Sequence, residues 1–216
     1  MLLIFDWDGT LMDSADKIVR CMRAAAIERQ LEPLEAEAIH NIIGLELGVA
    51  IGQLYPELGL AGVELMRAAY SRQFVEADQI PCSFFAGVGD GLVRLHAAGH
   101  TLCVATGKSR KGLNRVFSYL PEAALFAGSR CADETASKPH PLMLQELCGQ
   151  FSVSPHEALM VGDTEYDLEM ASKVGMPSIG VSYGAHAPER LLRWSPLRVV
   201  DQFAELVAYL EASRSR

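Results

Sequence analysis

Apolar positions along this chain recur with two different periods, and the boundaries between them divide it into parts. Short unbroken apolar runs at residues 1–5, 101–105, 158–161 and 177–181 read as buried strands, and Val199-Val200 as the stub of another. Between the first two runs, residues 13–80 carry almost no two-residue alternation. Ile18, Val19, Met22, Ala25 and Ala26 share one face at helical spacing, as do Leu65, Ala69 and Phe74, with Ser14 as the expected N-cap of the first helix. From Pro81 onwards strand and helix alternate. Helices are expected over 88–98, with Gly99 as a left-handed stop, and over 109–119, 141–148, 164–174 and 201–212; a short apolar run lies at 124–127.

Repeated β-α alternation predicts a parallel sheet with right-handed crossovers, an α/β Rossmann-like core with helices on both faces. The helical stretch is then an inserted all-α cap. The expected division is residues 1–13 and 81–216 for the core and 14–80 for the cap. Hinges fall at residues 9–13 and 80–87, so that two chain crossings permit a rigid-body cap motion.

At 216 residues the chain has room for one substantial core plus a small insertion. The net charge of -8 comes without a compensating basic block, which argues against a nucleic-acid surface and for a small-molecule partner. No apolar stretch approaches the roughly 20 residues that span a bilayer, and residues 1–5 lack the basic leader of a signal peptide; a cytoplasmic protein is expected. Five cysteines, widely spaced and without a C-x-x-C pair, fit reduced thiols better than a disulfide framework or a zinc site, and Cys103 reads as a small buried hydrophobe.

Several of the strand-like runs end in polar residues. The first meets Asp6-Trp7-Asp8-Gly9-Thr10, the second Thr106-Gly107, and the third Gly162-Asp163-Thr164-Glu165-Tyr166-Asp167. In an open α/β sheet ligands bind beyond the carboxyl ends of the strands, so these groups can converge across a hundred residues of sequence. Asp6 can attack phosphorus as a carboxylate, while Asp8, if protonated, can supply the leaving alkoxide with a proton and later activate water. Asp163 and Asp167 add carboxylate, and a hard cation such as Mg²⁺ would relieve their repulsion. The Thr106 hydroxyl and the amides that follow are suited to phosphate oxygens, and Lys138, on a loop before Pro139, can neutralise charge as the transition state forms. Any one of these residues alone is more often a turn former, a cap or a solvated charge. Lys108, Lys111, His140, Glu165 and Tyr166 are expected on the surface, and the Trp7 side chain in packing.

Taken together, Asp6-Trp7-Asp8-Gly9-Thr10-Leu11, Thr106-Gly107, Lys138-Pro139 and Gly162-Asp163-Thr164-Glu165-Tyr166-Asp167 resemble the four ordered motifs of the haloacid dehalogenase superfamily, in its phosphoglycolate-phosphatase-like branch with a helical cap after the first strand. The resemblance covers essentially the whole chain. It implies a Mg²⁺-dependent phosphatase acting on a small phosphomonoester through an aspartyl-phosphate, with Asp6 as nucleophile and metal ligand. Asp8 would be the general acid/base and a metal ligand through its carbonyl. Thr106 and the Gly107 amide would bind phosphate, Lys138 would order the charges, and Asp163 would bind metal. Asp167 would either ligate through water or orient Lys138. Asp8 disfavours dehalogenation and phosphonate cleavage, and the only lysine between Asp13 and Ile80 is Lys17. A phosphosugar mutase is the runner-up, followed by a catalytically silent binding protein. Specificity is expected from the Gly44 to Gly48 loop and from Arg20 or Arg23. The partner is a small phosphorylated metabolite, with no nucleic acid and no membrane, and the protein a monomer or homodimer.

Overall fold

The computed structural model describes residues 1–214. Six strands, β1 (Leu2–Phe5), β2 (Thr101–Thr106), β3 (Phe126–Cys131), β4 (Ala158–Gly162), β5 (Ser178–Val181) and β6 (Arg198–Val200), form one sheet in the order β3-β2-β1-β4-β5-β6. All neighbouring pairs are parallel. This is the α/β Rossmann-like arrangement that the alternation predicts. β1 lies between β2 and β4, so the three strands that end in polar motifs are adjacent.

β1 is apolar throughout because both of its faces are covered, as expected in a parallel sheet. Its side chains still alternate. Leu3 and Phe5 enter a core with Leu92 and Leu95 of α5 (Val88–Ala97) and with Phe203 and Leu206 of α10 (Phe203–Arg214). Leu2 and Ile4 enter a second core with Met143 and Leu147 of α7 (Leu142–Phe151) and Met170 of α8 (Glu165–Ser172). The sheet is therefore fixed from both sides, and the carboxyl ends of its strands stay rigid.

Residues between β1 and α5 fold as α1 (Ala15–Glu28), α2 (Ala36–His40), α3 (Leu47–Leu54) and α4 (Leu60–Ala77). They bury a third core of their own, in which Met22, Ala25, Ile39, Ile51, Met66 and Phe74 meet. The two connecting segments are paired with each other: Asp13 N–H donates to Ser83 O at 2.9 Å and Phe85 N–H to Leu11 O at 3.0 Å.

Three local features differ from the sequence expectation. β3 continues through Gly128-Ser129-Arg130, past the apolar run at 124–127. It is an edge strand, so polar side chains are tolerated, and Arg130 pairs with Glu146 at 2.6 Å. Helix α9 (Pro188–Leu192) has only five residues, too few to leave a periodic signal. Ser14 does occupy the N-cap position of α1, but its hydroxyl makes no cap hydrogen bond and instead donates to Asp8 Oδ1 at 2.7 Å.

Candidate active site

At the carboxyl edge of the sheet the ladder itself places the acidic groups. Phe5 is in register with both Val104 and Val161, and Asp6 N–H donates to Val161 O at 2.9 Å. Asp6 therefore leaves β1 between the end of β2, which carries Thr106, and the end of β4, which carries Asp163. All three residues are buried, as are Lys138 and Asp167.

Asp6, Asp163 and Asp167 bring carboxylate oxygens within 4.8 Å of one another. Lys138 Nζ lies 2.6 Å from Asp6 Oδ1 and 2.7 Å from Asp167 Oδ1, ion pairs that fall outside hydrogen-bond alignment. Three buried carboxylates thus face one ammonium. Burial pushes Asp6 well above the usual carboxylate range; Lys138 opposes that shift, while Asp167 and Asp163 add to it. Burial likewise raises Asp163 to about 7 with help from Asp167, against hydrogen bonds from Ala185 N–H and Thr10. For Lys138, burial disfavours the charged form, but Asp167 and Asp6 outweigh it and hold the ammonium protonated.

The acidic residues differ in what else they touch. Asp163 accepts from Thr10 Oγ1 at 2.7 Å and from Ala185 N–H at 2.8 Å, and it is hemmed in by backbone. A Cβ on Gly9, whose φ is +88°, would stand 2.2 Å from Asp163 Oδ2, and one on Gly184 would stand 2.2 Å from its Cβ. Only glycine fits at either place. Asp167 has both oxygens engaged: Oδ1 with Lys138, Oδ2 accepting from Thr164 N–H at 3.1 Å and Thr164 Oγ1 at 2.7 Å, a capping box that starts α8. Of the two roles left open by the motif, this geometry matches orientation of Lys138. Asp6 Oδ2, by contrast, is buried and has no hydrogen-bond partner among the described residues.

An orphaned buried carboxylate oxygen beside a second carboxylate of raised pKa, with oxygen donors only, is a setting that suits a hard divalent cation. Asp6 and Asp163 would hold Mg²⁺ here.

Asp8 faces the other way, toward the helical insertion. Lys108 Nζ reaches both of its oxygens, at 2.8 and 2.7 Å, and Ser14 donates to Oδ1. The expectation of a solvated Lys108 is corrected. It follows the end of β2 ahead of α6 (Arg110–Phe117), and its ammonium sits 5.0 Å from the Phe74 ring centroid. Thr106 Oγ1 accepts from Lys108 N–H at 3.1 Å. At Gly107 the insertion comes close, since a Cβ there would lie 2.4 Å from Gly44 O and 2.5 Å from Leu45 O.

A cavity of about 280 Å³ lies between the two parts of the chain, lined by Asp6, Asp8, Thr106 and Gly107, by Lys108, Ser109, α6 and Asp133 on the same side, and by α1, α3, α4 and the segment 42–47. Gly44 to Leu47 line it as expected. Arg20 and Arg23 do not, and Arg23 instead bonds Leu34 O and Glu35. Glu165 and Tyr166, expected on an open helix surface, are drawn into contacts around Asn41. Tyr166 Oη donates to Asn41 O at 2.7 Å, and Arg190 bonds both Asn41 Oδ1 and Glu165. Lys111 and His140 are exposed, and Trp7 is fully buried edge-on to Phe84, Phe117 and Phe126. Sequence reading missed Thr10, Ser14, Gly184 and Ala185. A Thr within the strand-end motif was the available signal for the first, while Ser14 reads only as a helix cap; the loop after β5 offered none.

A doubly wound sheet with acidic groups at the ends of its central strands and a lysine between them defines a phosphoryl-transfer class of enzyme. Residues 3–181 match the family model of haloacid dehalogenase-like hydrolases, and the chain belongs to that family. It is 36% identical to the probable phosphatase IndB of Dickeya dadantii over 98% of this chain and 94% of that protein. It is 26% identical to the phosphoglycolate phosphatase of Psychrobacter arcticus, over 97% and 95%. Among solved structures, a predicted phosphoglycolate phosphatase from Haemophilus somnus superposes with a TM-score of 0.87 at 23% identity, covering 97% of each chain. A putative beta-phosphoglucomutase from Bacteroides vulgatus superposes nearly as well, at 0.85 with 18% identity over 99% and 88%. The fold is thus shared with structures of both names, while the two curated relatives above are named as a probable phosphatase and a phosphoglycolate phosphatase. The protein is a phosphoric monoester hydrolase of the phosphoglycolate-phosphatase-like branch.

Proposed function

We propose that the chain is a Mg²⁺-dependent phosphatase that hydrolyses a small phosphomonoester through a phosphorylated Asp6. The observation that carries this reading is the unpartnered, buried Oδ2 of Asp6, on a residue that lines the cavity while Lys138 holds its other oxygen. In the first step Asp6 attacks phosphorus, the bond from phosphorus to the ester oxygen breaks, and Asp8 gives its proton to the departing alkoxide. In the second, Asp8 takes a proton from water as that water attacks phosphorus, and the bond to Asp6 breaks. Thr106 and the Gly107 amide bind the phosphoryl oxygens, and Lys138, oriented by Asp167, balances the charge gathered around Asp6.

Bound Mg²⁺, held by Asp6, the Asp8 carbonyl and Asp163, would screen the repulsion between an anionic nucleophile and an anionic ester. Residues 14–80 act as the cap and residues 1–13 with 81–216 as the core. Among the described residues no helix is long and apolar enough to cross a membrane. A cytoplasmic enzyme using a phosphorylated metabolite, as monomer or homodimer, fits this reading.

The test is phosphate release by the purified protein with Mg²⁺ from a panel of phosphomonoesters, pyrophosphate and p-nitrophenyl phosphate, beside Asp6→Asn and EDTA controls. Release that is lost in both controls supports the reading. Interconversion of hexose phosphates without net release would replace it with the mutase.

A further inference from the structure

We infer that the leaving alcohol of the substrate carries a sizeable apolar body, larger than a two-carbon acid, which is buried against the inner face of the helical insertion. The inference rests on the phosphatase reading above and deepens it.

The cavity at Asp6 and Asp8 has a volume of about 280 Å³. A phosphoryl group seated at Asp6 fills only one end of it. Away from that end Met22, Ile42, Ile43, Ala50, Phe74 and Val75 make an apolar wall, beside which Tyr70, Ser71, Ser109 and Asp133 are the polar neighbours other than the ion-paired groups and Lys111.

Cations do reach the cavity, but most are already neutralised. Arg67 pairs with Glu46 at 2.6 Å, Arg115 with Asp78 at 2.6 Å, and Lys108 with Asp8. Only Lys111, exposed on the rim, has no such partner among the described residues. Away from Lys111 at the rim, an anionic leaving group would have to break one of the three pairs, whereas an apolar one gains from displacing water off the wall without disturbing them.

The experiment compares kcat/KM for ethyl, butyl and 2-phenylethyl phosphate with Mg²⁺. These alcohols differ little in acidity, so the series reads the cavity and not the chemistry. The expected result is a rise of about fourfold for each buried methylene, and at least about tenfold from ethyl to 2-phenylethyl. Ala50→Leu and Val75→Phe, which narrow the cavity, should each lower the 2-phenylethyl to ethyl ratio by about fivefold. Val75 is half-exposed, so its variant serves if Ala50→Leu fails to fold.

A flat or falling series, or a ratio unchanged in the folded variants, overturns the inference and leaves the phosphatase reading standing. Absence of release from the whole series and from p-nitrophenyl phosphate removes both.

Discussion

Lys138 Nζ sits 2.7 Å from Asp167 Oδ1, and the same carboxylate starts helix α8 by accepting from Thr164 through its other oxygen. The helix start thereby fixes the position of the ammonium that faces Asp6. Replacing Asp167 by Asn keeps an acceptor for Thr164 but turns a neutral amide toward Lys138. The expected result is a fall in kcat of about 10- to 100-fold, as for residues that orient a site from behind. A stability loss of about 1–3 kcal/mol by urea denaturation should accompany it. Unchanged kcat would show that Lys138 is positioned without Asp167.

Asp163 links the site to pH. In the folded, metal-free protein its pKa is raised to about 7, against about 3.9 when unfolded. Between those values the folded state holds more protons. Its stabilising effect is therefore complete below about pH 4 and is lost as pH rises to about 7. Thermal melting in EDTA should show Tm declining across that window through this group, and Mg²⁺ should raise Tm increasingly over the same range, because it binds the deprotonated carboxylates. A Mg²⁺ effect independent of pH would contradict the assignment of Asp163 as a ligand.

Gly107→Ala tests the close approach of the helical insertion. The added Cβ would meet Gly44 O at 2.4 Å and Leu45 O at 2.5 Å, forcing the segment that lines the cavity outward. Misplacement on this scale is expected to lower kcat/KM by about 10- to 100-fold and to lower Tm as well, because the atoms displaced are backbone. Wild-type kinetics in the variant would mean that the segment is not held against Gly107 during turnover.

Asp8→Asn should slow an alkyl phosphate by about 10²- to 10⁴-fold and p-nitrophenyl phosphate far less, since only the alkoxide needs a proton on departure. Values of kcat/KM on the two esters, which report the cleavage of the ester bond and not the later attack of water, decide the matter, and equal losses in both would remove Asp8 from the acid role.

Much of this arrangement was legible in the sequence, for identifiable reasons. A parallel sheet covered on both faces writes its strands as apolar runs, and the one or two residues after each run stand at the carboxyl edge, which is why the sequence alone places Asp6, Thr106 and Asp163 together. What sequence could not resolve depends on direction. Lys108 reads as an exposed helix-start lysine until its ammonium is seen paired with Asp8. Ser14 reads as a cap until its hydroxyl is seen turned toward the same carboxylate. Gly184 and Ala185 lie in a loop without periodicity, yet they supply the close backbone and the N–H that fix Asp163.

Covalent capture at Asp6 tests the central claim most directly. The protein would be mixed with Mg²⁺ and a phosphomonoester that it hydrolyses, quenched in acid within one turnover, digested, and searched by mass spectrometry for a phosphorylated peptide spanning residues 1–20. The account predicts phosphate on Asp6, appearing before free phosphate and absent from Asp6→Asn. Full turnover in which no phosphorylated peptide forms at any quench time, or retained activity in Asp6→Asn, would contradict it.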